Sequence, residues 1–169
     1  KFIETDVQVS SDGIPYIFHD NDLKRICDLP FKFDSLSSQE IDDLRIFGDH
    51  KIPKLVDALN TFPSTSFQID FKTDEVVNPA LEVISKSNAS ERVCVASFNS
   101  ERLNNVRSTH PHLCISMGPN EVAKTLMSSF GIYRGIVPGD CLQIPIRYYG
   151  ARIVTKRFVN YLKSKGIKI

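Results

Sequence analysis

The chain contains no tryptophan, and none of its four cysteines forms a C-x-x-C pair. Small zinc and redox motifs depend on that spacing. Cys27, Cys94, Cys114 and Cys141 therefore read as reduced thiols in a cytoplasmic protein, with Cys94 and Cys114 set in apolar runs where a thiol packs as a small hydrophobe. No apolar run comes near the roughly 18 residues of a membrane span, and no charged-then-apolar leader is visible. Neither G-x-G-x-x-G nor G-x-x-x-x-G-K occurs, so the usual glycine-rich phosphate cradles are missing. An excess of charge is missing too. Twenty-one Lys and Arg against 20 Asp and Glu leave a net +1, which supplies no field for nucleic acid or an acidic membrane surface. Neither nucleic-acid binding nor stable membrane insertion is expected. Nothing in these totals speaks to oligomeric state.

What is there is an ordinary globular composition: 169 residues, 41% hydrophobic and 24% charged. That is enough for one domain, residues 1–169, with a real core. The first nine residues, KFIETDVQV, alternate as a strand, with Ile3, Thr5, Val7 and Val9 against Glu4, Asp6 and Gln8. Residues two apart on a strand share a face, so Glu4 and Asp6 project together, their Cβ atoms about 7 Å apart. Two adjacent carboxylates repel, and a hard cation such as Ca²⁺ or Mg²⁺ is their usual partner. Taken alone, the pair reads equally as an acidic, solvent-facing strand edge.

Along the chain, Asp12-Gly13 marks a hairpin turn into a strand at Pro15–Phe18 that ends in His19-Asp20. Residues 23–36 read as irregular. Ser37-x-x-Glu40 has the form of a capping box and opens a short helix through Leu44 and Arg45. Leu55, Ala58, Leu59 and Phe62 are helically spaced, and Pro63 stops them. Further strands are expected at 67–72, 92–96, 113–116, 142–144 and 151–154, and the start of one at 167–169. Helices are expected at 79–87, 101–108, 121–129 and 156–165, the last closed by Gly166. Residues 130–141 read as loop.

Short strands alternating with helices predict right-handed βα units and a parallel sheet. Polar groups recur at the ends of successive strands: Glu4 and Asp6, His19, Asp70 and Lys72, Ser97, Gln143. A ring of chemistry fed by many strands is what the C-terminal face of a barrel provides. The expected fold class is α/β, a (β/α)8 TIM barrel incomplete at both ends.

The ordered motifs carry a resemblance. Glu4-Thr5-Asp6, Asp12-Gly13, His19-Asp20, Leu23-Lys24-Arg25, Ile52-Pro53-Lys54-Leu55, Ile69-Asp70-Phe71-Lys72, Ser97-Phe98 and Gln143-Ile144-Pro145 run in the order found in the bacterial glycerophosphodiester phosphodiesterase family, which the chain resembles over essentially its whole length. The family's opening H-R-G strand and its closing Trp-containing strand have no counterpart in these 169 residues. On that reading the sequence is a fragment, starting at the second strand and expected to be inactive alone.

The resemblance implies hydrolysis of glycerophosphodiesters, small-molecule substrates, to glycerol 3-phosphate and an alcohol. It implies a divalent metal ion, Ca²⁺ or Mg²⁺, on Glu4, Asp6 and Asp70, the last standing where many members have Glu. His19 and Lys72 would be the catalytic side chains. Ser97 and Gln143 would contact substrate or serve as turns, with Asp20 and Arg25 supporting. His50, His110 and His112 are expected on the surface, and Tyr148-Tyr149 in packing or at the rim. Two other readings compete: a sphingomyelinase-D-like phospholipase, against which the scattered cysteines argue, and a non-catalytic binding protein derived from a barrel.

Overall fold

The computed structural model describes residues 2–169; Lys1, expected at the head of the first strand, lies outside the described residues. The chain divides into two compact units, residues 1–94 and 95–169.

The first unit is built around β1 (Phe2–Val9). The Asp12-Gly13 turn, with Gly13 at φ +85°, returns the chain as β2 (Pro15–Ile17), which pairs antiparallel through Val7–Ile17, Gln8–Tyr16 and Val9–Pro15. On its other side β1 pairs parallel with β3 (Ser66–Phe71) over six consecutive positions, from Phe2–Ser66 to Val7–Phe71. Phe67, Ile69, Phe71 and Val7 are buried, and their burial fixes the register, because a one-residue slip would turn every side chain to the opposite face.

Residues 23–36, expected to be irregular, contain α1 (Lys24–Cys27) and a single 3₁₀ turn at Phe33–Ser35. The apolar residues there are too few and too closely set to show a helical period. They instead feed a compact cluster of Tyr16, Phe18, Leu23, Phe33, Ile41 and Ile52. Phe18 stacks on Phe33 at 4.7 Å between ring centroids. The capping box is present: Ser37 and Glu40 cap α2 (Ser38–Asp43) reciprocally, and the helix ends before Leu44. Asp12 reaches across from the hairpin turn to accept from the backbone N–H and the hydroxyl of Ser38, at 2.7 and 2.6 Å. Those bonds, the Ser38 hydroxyl first, lower the Asp12 carboxyl to about 2. α3 (Leu55–Thr61) has no glycine at its end. Its closing carbonyls are taken by Arg92, whose guanidinium donates to Leu59, Phe62 and Thr65 at 2.8, 3.2 and 3.0 Å. α4 (Val77–Lys86) buries Val77, Ala80, Leu81 and Ile84, the i, i+3, i+4, i+7 stripe of an amphipathic helix.

The division between the units falls within β4 (Val93–Ala96), all four residues of which are buried. In the second unit α5 (Ser100–Thr109) is capped by Asn99, β5 (Cys114–Ile115) follows, and α6 (Pro119–Ser129) begins with proline in its first turn. The expected strand at 142–144 does not form. Cys141 alone makes isolated parallel bridges to Ser116 and Lys168. The expected strand at 151–154 is instead the return arm of a small hairpin, β6 (Arg147–Tyr148) with β7 (Ala151–Arg152), turned by Tyr149 and Gly150. All four strand residues are exposed, so this is a surface hairpin rather than a core strand. α7 (Lys156–Ser164), capped by the Thr155 hydroxyl, lays Phe158 and Leu162 on Met117 and Leu142. Gly166, at φ +71°, closes it as expected. No described helix is long and apolar enough to cross a membrane.

Candidate active site

The β1–β3 register sets Asp6 directly opposite Asp70 and Glu4 opposite Gln68. Lys72 lies two residues past Asp70 and shares its face. Its ammonium lies between the two carboxylates, 2.6 Å from Asp6 Oδ1 and 2.7 Å from Asp70 Oδ2. Burial works against the Lys72 charge, but the bonds to Asp6 and Asp70 outweigh it, and Lys72 titrates above the ordinary lysine value.

Asp70 is buried, at 6% exposure. Its second oxygen, Oδ1, is buried with no hydrogen-bond donor among the described residues. A buried carboxylate oxygen left bare costs on the order of 1–3 kcal/mol. Glu4 is exposed on the same strand face. Three carboxylates against one ammonium leave these four residues with a net charge of −2. Asp6 and Asp70 meet at Lys72 and offer the oxygen donors a hard cation takes, but the Glu4 carboxylate is not within ligating reach of both of them in this structure.

His19 follows β2 and is exposed, with its Nδ1 2.7 Å from Asp20 Oδ1. Arg25, in α1, grips the same carboxylate with two bonds, at 2.7 and 3.0 Å. The Arg25 guanidinium and then the His19 ring hold the Asp20 carboxyl down at about 2. Asp20 therefore stays ionised and holds the imidazole through Nδ1, which leaves Nε2 as the other ring nitrogen. Asp6, His19 and Arg25 line one cavity of about 320 Å³, together with Thr5, Ile17, Phe18, Ile26, Ile46, Phe47 and Pro53.

The first unit thus brings together Asp6, Asp70 and Lys72 by direct contact, and His19 with Asp6 by a shared cavity. Ser97 and Gln143 belong to the second unit. Ser97 is buried, and its hydroxyl accepts from Arg102 at 2.9 Å and from the Asn99 N–H at 3.2 Å, as a residue bracing the start of α5 would. Gln143 is exposed on the segment before β6.

Two contributors escape a motif reading. Gln8 is 2% exposed, and its amide donates to the Asp20 carbonyl and to Asn21 Oδ1 at 3.1 and 3.0 Å. It ties the His19-bearing loop to β1. The period-two series Glu4, Asp6, Gln8 was its available signal. Phe47 lines the cavity from a loop with no periodicity at all.

The whole chain, residues 1–169, matches the family described as glycerophosphoryl diester phosphodiesterase. A probable glycerophosphodiester phosphodiesterase 2 of Mycobacterium tuberculosis is 28% identical over 175 residues, aligned with 100% of this chain and 66% of its own length. The chain therefore spans just under two-thirds of that relative. Among solved structures, the glycerophosphoryl diester phosphodiesterase domain of another M. tuberculosis protein superposes with a TM-score of 0.80 at 18% identity, covering 98% of this chain and 74% of that one. An Oleispira antarctica phosphodiesterase, solved in complex with the product sn-glycerol-3-phosphate, gives 0.63 at 24% identity over 69% of this chain and 53% of its own. These likenesses establish the fold as the α/β barrel type of those proteins. With E-x-D, D-G, H-D and I-D-x-K falling where the contacts above need them, and with the family matched from the first residue to the last, the chain belongs to the glycerophosphoryl diester phosphodiesterase family.

Proposed function

We propose that this chain carries the catalytic carboxylates and one acid–base histidine of a glycerophosphodiester phosphodiesterase, which hydrolyses a glycerophosphodiester to glycerol 3-phosphate and an alcohol, and that residues 1–169 act as one domain in this. The observation that carries the reading is the Asp6–Lys72–Asp70 contact with its bare buried oxygen, beside a cavity that His19 shares. Family membership supports the same chemistry, and members are in general metal-dependent.

Asp6 and Asp70, with Glu4 along the same face, would hold a divalent cation, Ca²⁺ or Mg²⁺. When bound it supplies a Lewis acid for the phosphate oxygens. Lys72 orders the two carboxylates and offers an ammonium to a non-bridging phosphate oxygen. His19, its Nδ1 held by Asp20, gives a proton from Nε2 to the leaving alcohol oxygen or takes one from the attacking water. Ser97, just past β4, is assigned to substrate contact on its strand-end position, and Gln143, whose expected strand does not form, on the ordered motifs alone.

The test is release of glycerol 3-phosphate from glycerophosphocholine or glycerophosphoethanolamine by the full-length protein. EDTA should abolish it, and added Ca²⁺ or Mg²⁺ should restore it. Turnover that persists in EDTA would defeat the metal assignment, and absence of turnover on any glycerophosphodiester would defeat the function.

A further inference from the structure

Phe47 is an aromatic residue held in a backbone conformation that aromatics rarely take. Its φ is +48°, and Gly48 follows at +100°. Strain of this kind persists only where the surroundings enforce it. Here Ile46 and His50 exchange two backbone hydrogen bonds, at 2.8 and 3.1 Å, closing the loop on both sides of Phe47. Arg45 braces its base by donating to the carbonyls of Asp42 and Leu44 at 2.9 and 2.8 Å. The ring so presented is 76% exposed, yet it lines the cavity that contains Asp6 and His19. Tyr149 and Gly150 make a turn with a similar pair of positive φ values; the Phe47 turn differs in setting its exposed ring at the cavity that Asp6 and His19 line.

The cavity has two kinds of lining. Thr5, Asp6, His19 and Arg25 are polar; Ile17, Phe18, Ile26, Ile46, Phe47 and Pro53 are apolar. Arg25 is matched by Asp20, whereas Asp6 shares the single Lys72 ammonium with Asp70, so the polar end of the lining is negative rather than neutral. When His19 acts as the acid, the oxygen that receives its proton is the first atom of the leaving alcohol, and the rest of that alcohol then lies beside the apolar lining of the same cavity. A polyol such as inositol would lose water there without hydrogen bonds in return. A methylated ammonium is weakly hydrated and binds to the face of an aromatic ring.

Resting on the hydrolase reading above, we infer that the Phe47 loop forms the subsite for the leaving alcohol and selects one that carries a quaternary ammonium, as in choline, over a polyol.

The experiment compares kcat/KM for glycerophosphocholine and glycerophosphoinositol in the full-length, metal-loaded protein, for wild type and for Phe47→Ala, Phe47→Leu and Phe47→Tyr. The wild type should favour the choline diester. Phe47→Ala and Phe47→Leu should each lower the choline-to-inositol ratio about tenfold, within the usual range of a cation–π contact, and Phe47→Tyr should retain it. Thermal midpoints should stay together, since the ring is exposed. A ratio unchanged in Phe47→Ala, or fully kept in Phe47→Leu, would overturn the inference while leaving hydrolysis intact. No turnover of either diester by wild type would overturn the hydrolase reading and this subsite with it.

Discussion

Asp6 and Asp70 are register partners on neighbouring parallel strands, and a single lysine, Lys72, bonds to both. The two acids are brought face to face by backbone pairing, and the ammonium between them makes the arrangement tolerable. Each side chain thus has two tasks, one in the stability of the strand pair and one in the proposed chemistry.

Lys72→Met separates those tasks. Without the ammonium the two carboxylates repel across a partly buried gap. Breaking a buried pair costs about 3–5 kcal/mol, and partial exposure of Asp6 reduces the expectation here to roughly 2–3 kcal/mol. Urea melts in EDTA should show that loss. Millimolar Ca²⁺ should recover part of it by binding the folded state, while glycerol 3-phosphate release stays impaired.

Asp70→Asn keeps the shape and removes one charge. Divalent-ion binding, followed by calorimetric titration, should weaken sharply. Turnover should fall at least about a hundredfold, if the cation supplies several kcal/mol of charge stabilisation. Unchanged binding and turnover would remove Asp70 from the site.

Asp20 gives a pH signature. Its carboxyl lies at about 2 in the folded chain against an ordinary 3.8. A lowered acid contributes stability that is fully present above the unfolded value and is lost as pH falls through the folded one. The stability gap between wild type and Asp20→Asn should therefore be level above about pH 4 and close between pH 4 and 2. Because Arg25 is exposed, the level gap should be only about 1 kcal/mol. Denaturant melts from pH 2.5 to 7 measure it.

Arg92→Ala addresses the fold alone. The guanidinium donates to two carbonyls at the end of α3, Leu59 and Phe62, and to Thr65 in the turn after it, and lies over Phe67 at 5.7 Å. Its removal should cost about 2–3 kcal/mol, as for hydrogen bonds made by a charged group. Arg92→Lys should recover only part of this, since an ammonium lacks the planar fork. Equal stability of the alanine variant and wild type would show that water replaces the guanidinium at these carbonyls.

The alternation of residues 2–9, the capping box at Ser37 and the stop at Gly166 were legible in the sequence because each is a local rule acting on neighbours. The pairing of Asp6 with Asp70 was legible only through resemblance, since nothing near either residue names its partner. The α1 turn was missed because four residues are too few to show a period. The strand expected at 142–144 was misread because Leu142 and Ile144 earn their burial against α7 and not by pairing along a strand. Phe47 left no trace at all: its role comes from a loop conformation, which residue type alone does not dictate.

The parallel β1–β3 pair has a kinetic consequence. Asp6 and Asp70 stand 64 positions apart (70 − 6), so the chain must close a long loop, with α1 to α3 inside it, before the two acids meet. Contacts of such sequence separation form late and slowly. Glu4 and Asp6 share β1, but Asp70 and Lys72 join them only once β3 docks, so the proposed cation site is complete only then. Once docked, the Asp6–Asp70 pair is the last but one of six consecutive register positions. A cation held at the proposed site binds only the docked strand pair, so adding Ca²⁺ should slow the opening of the first unit.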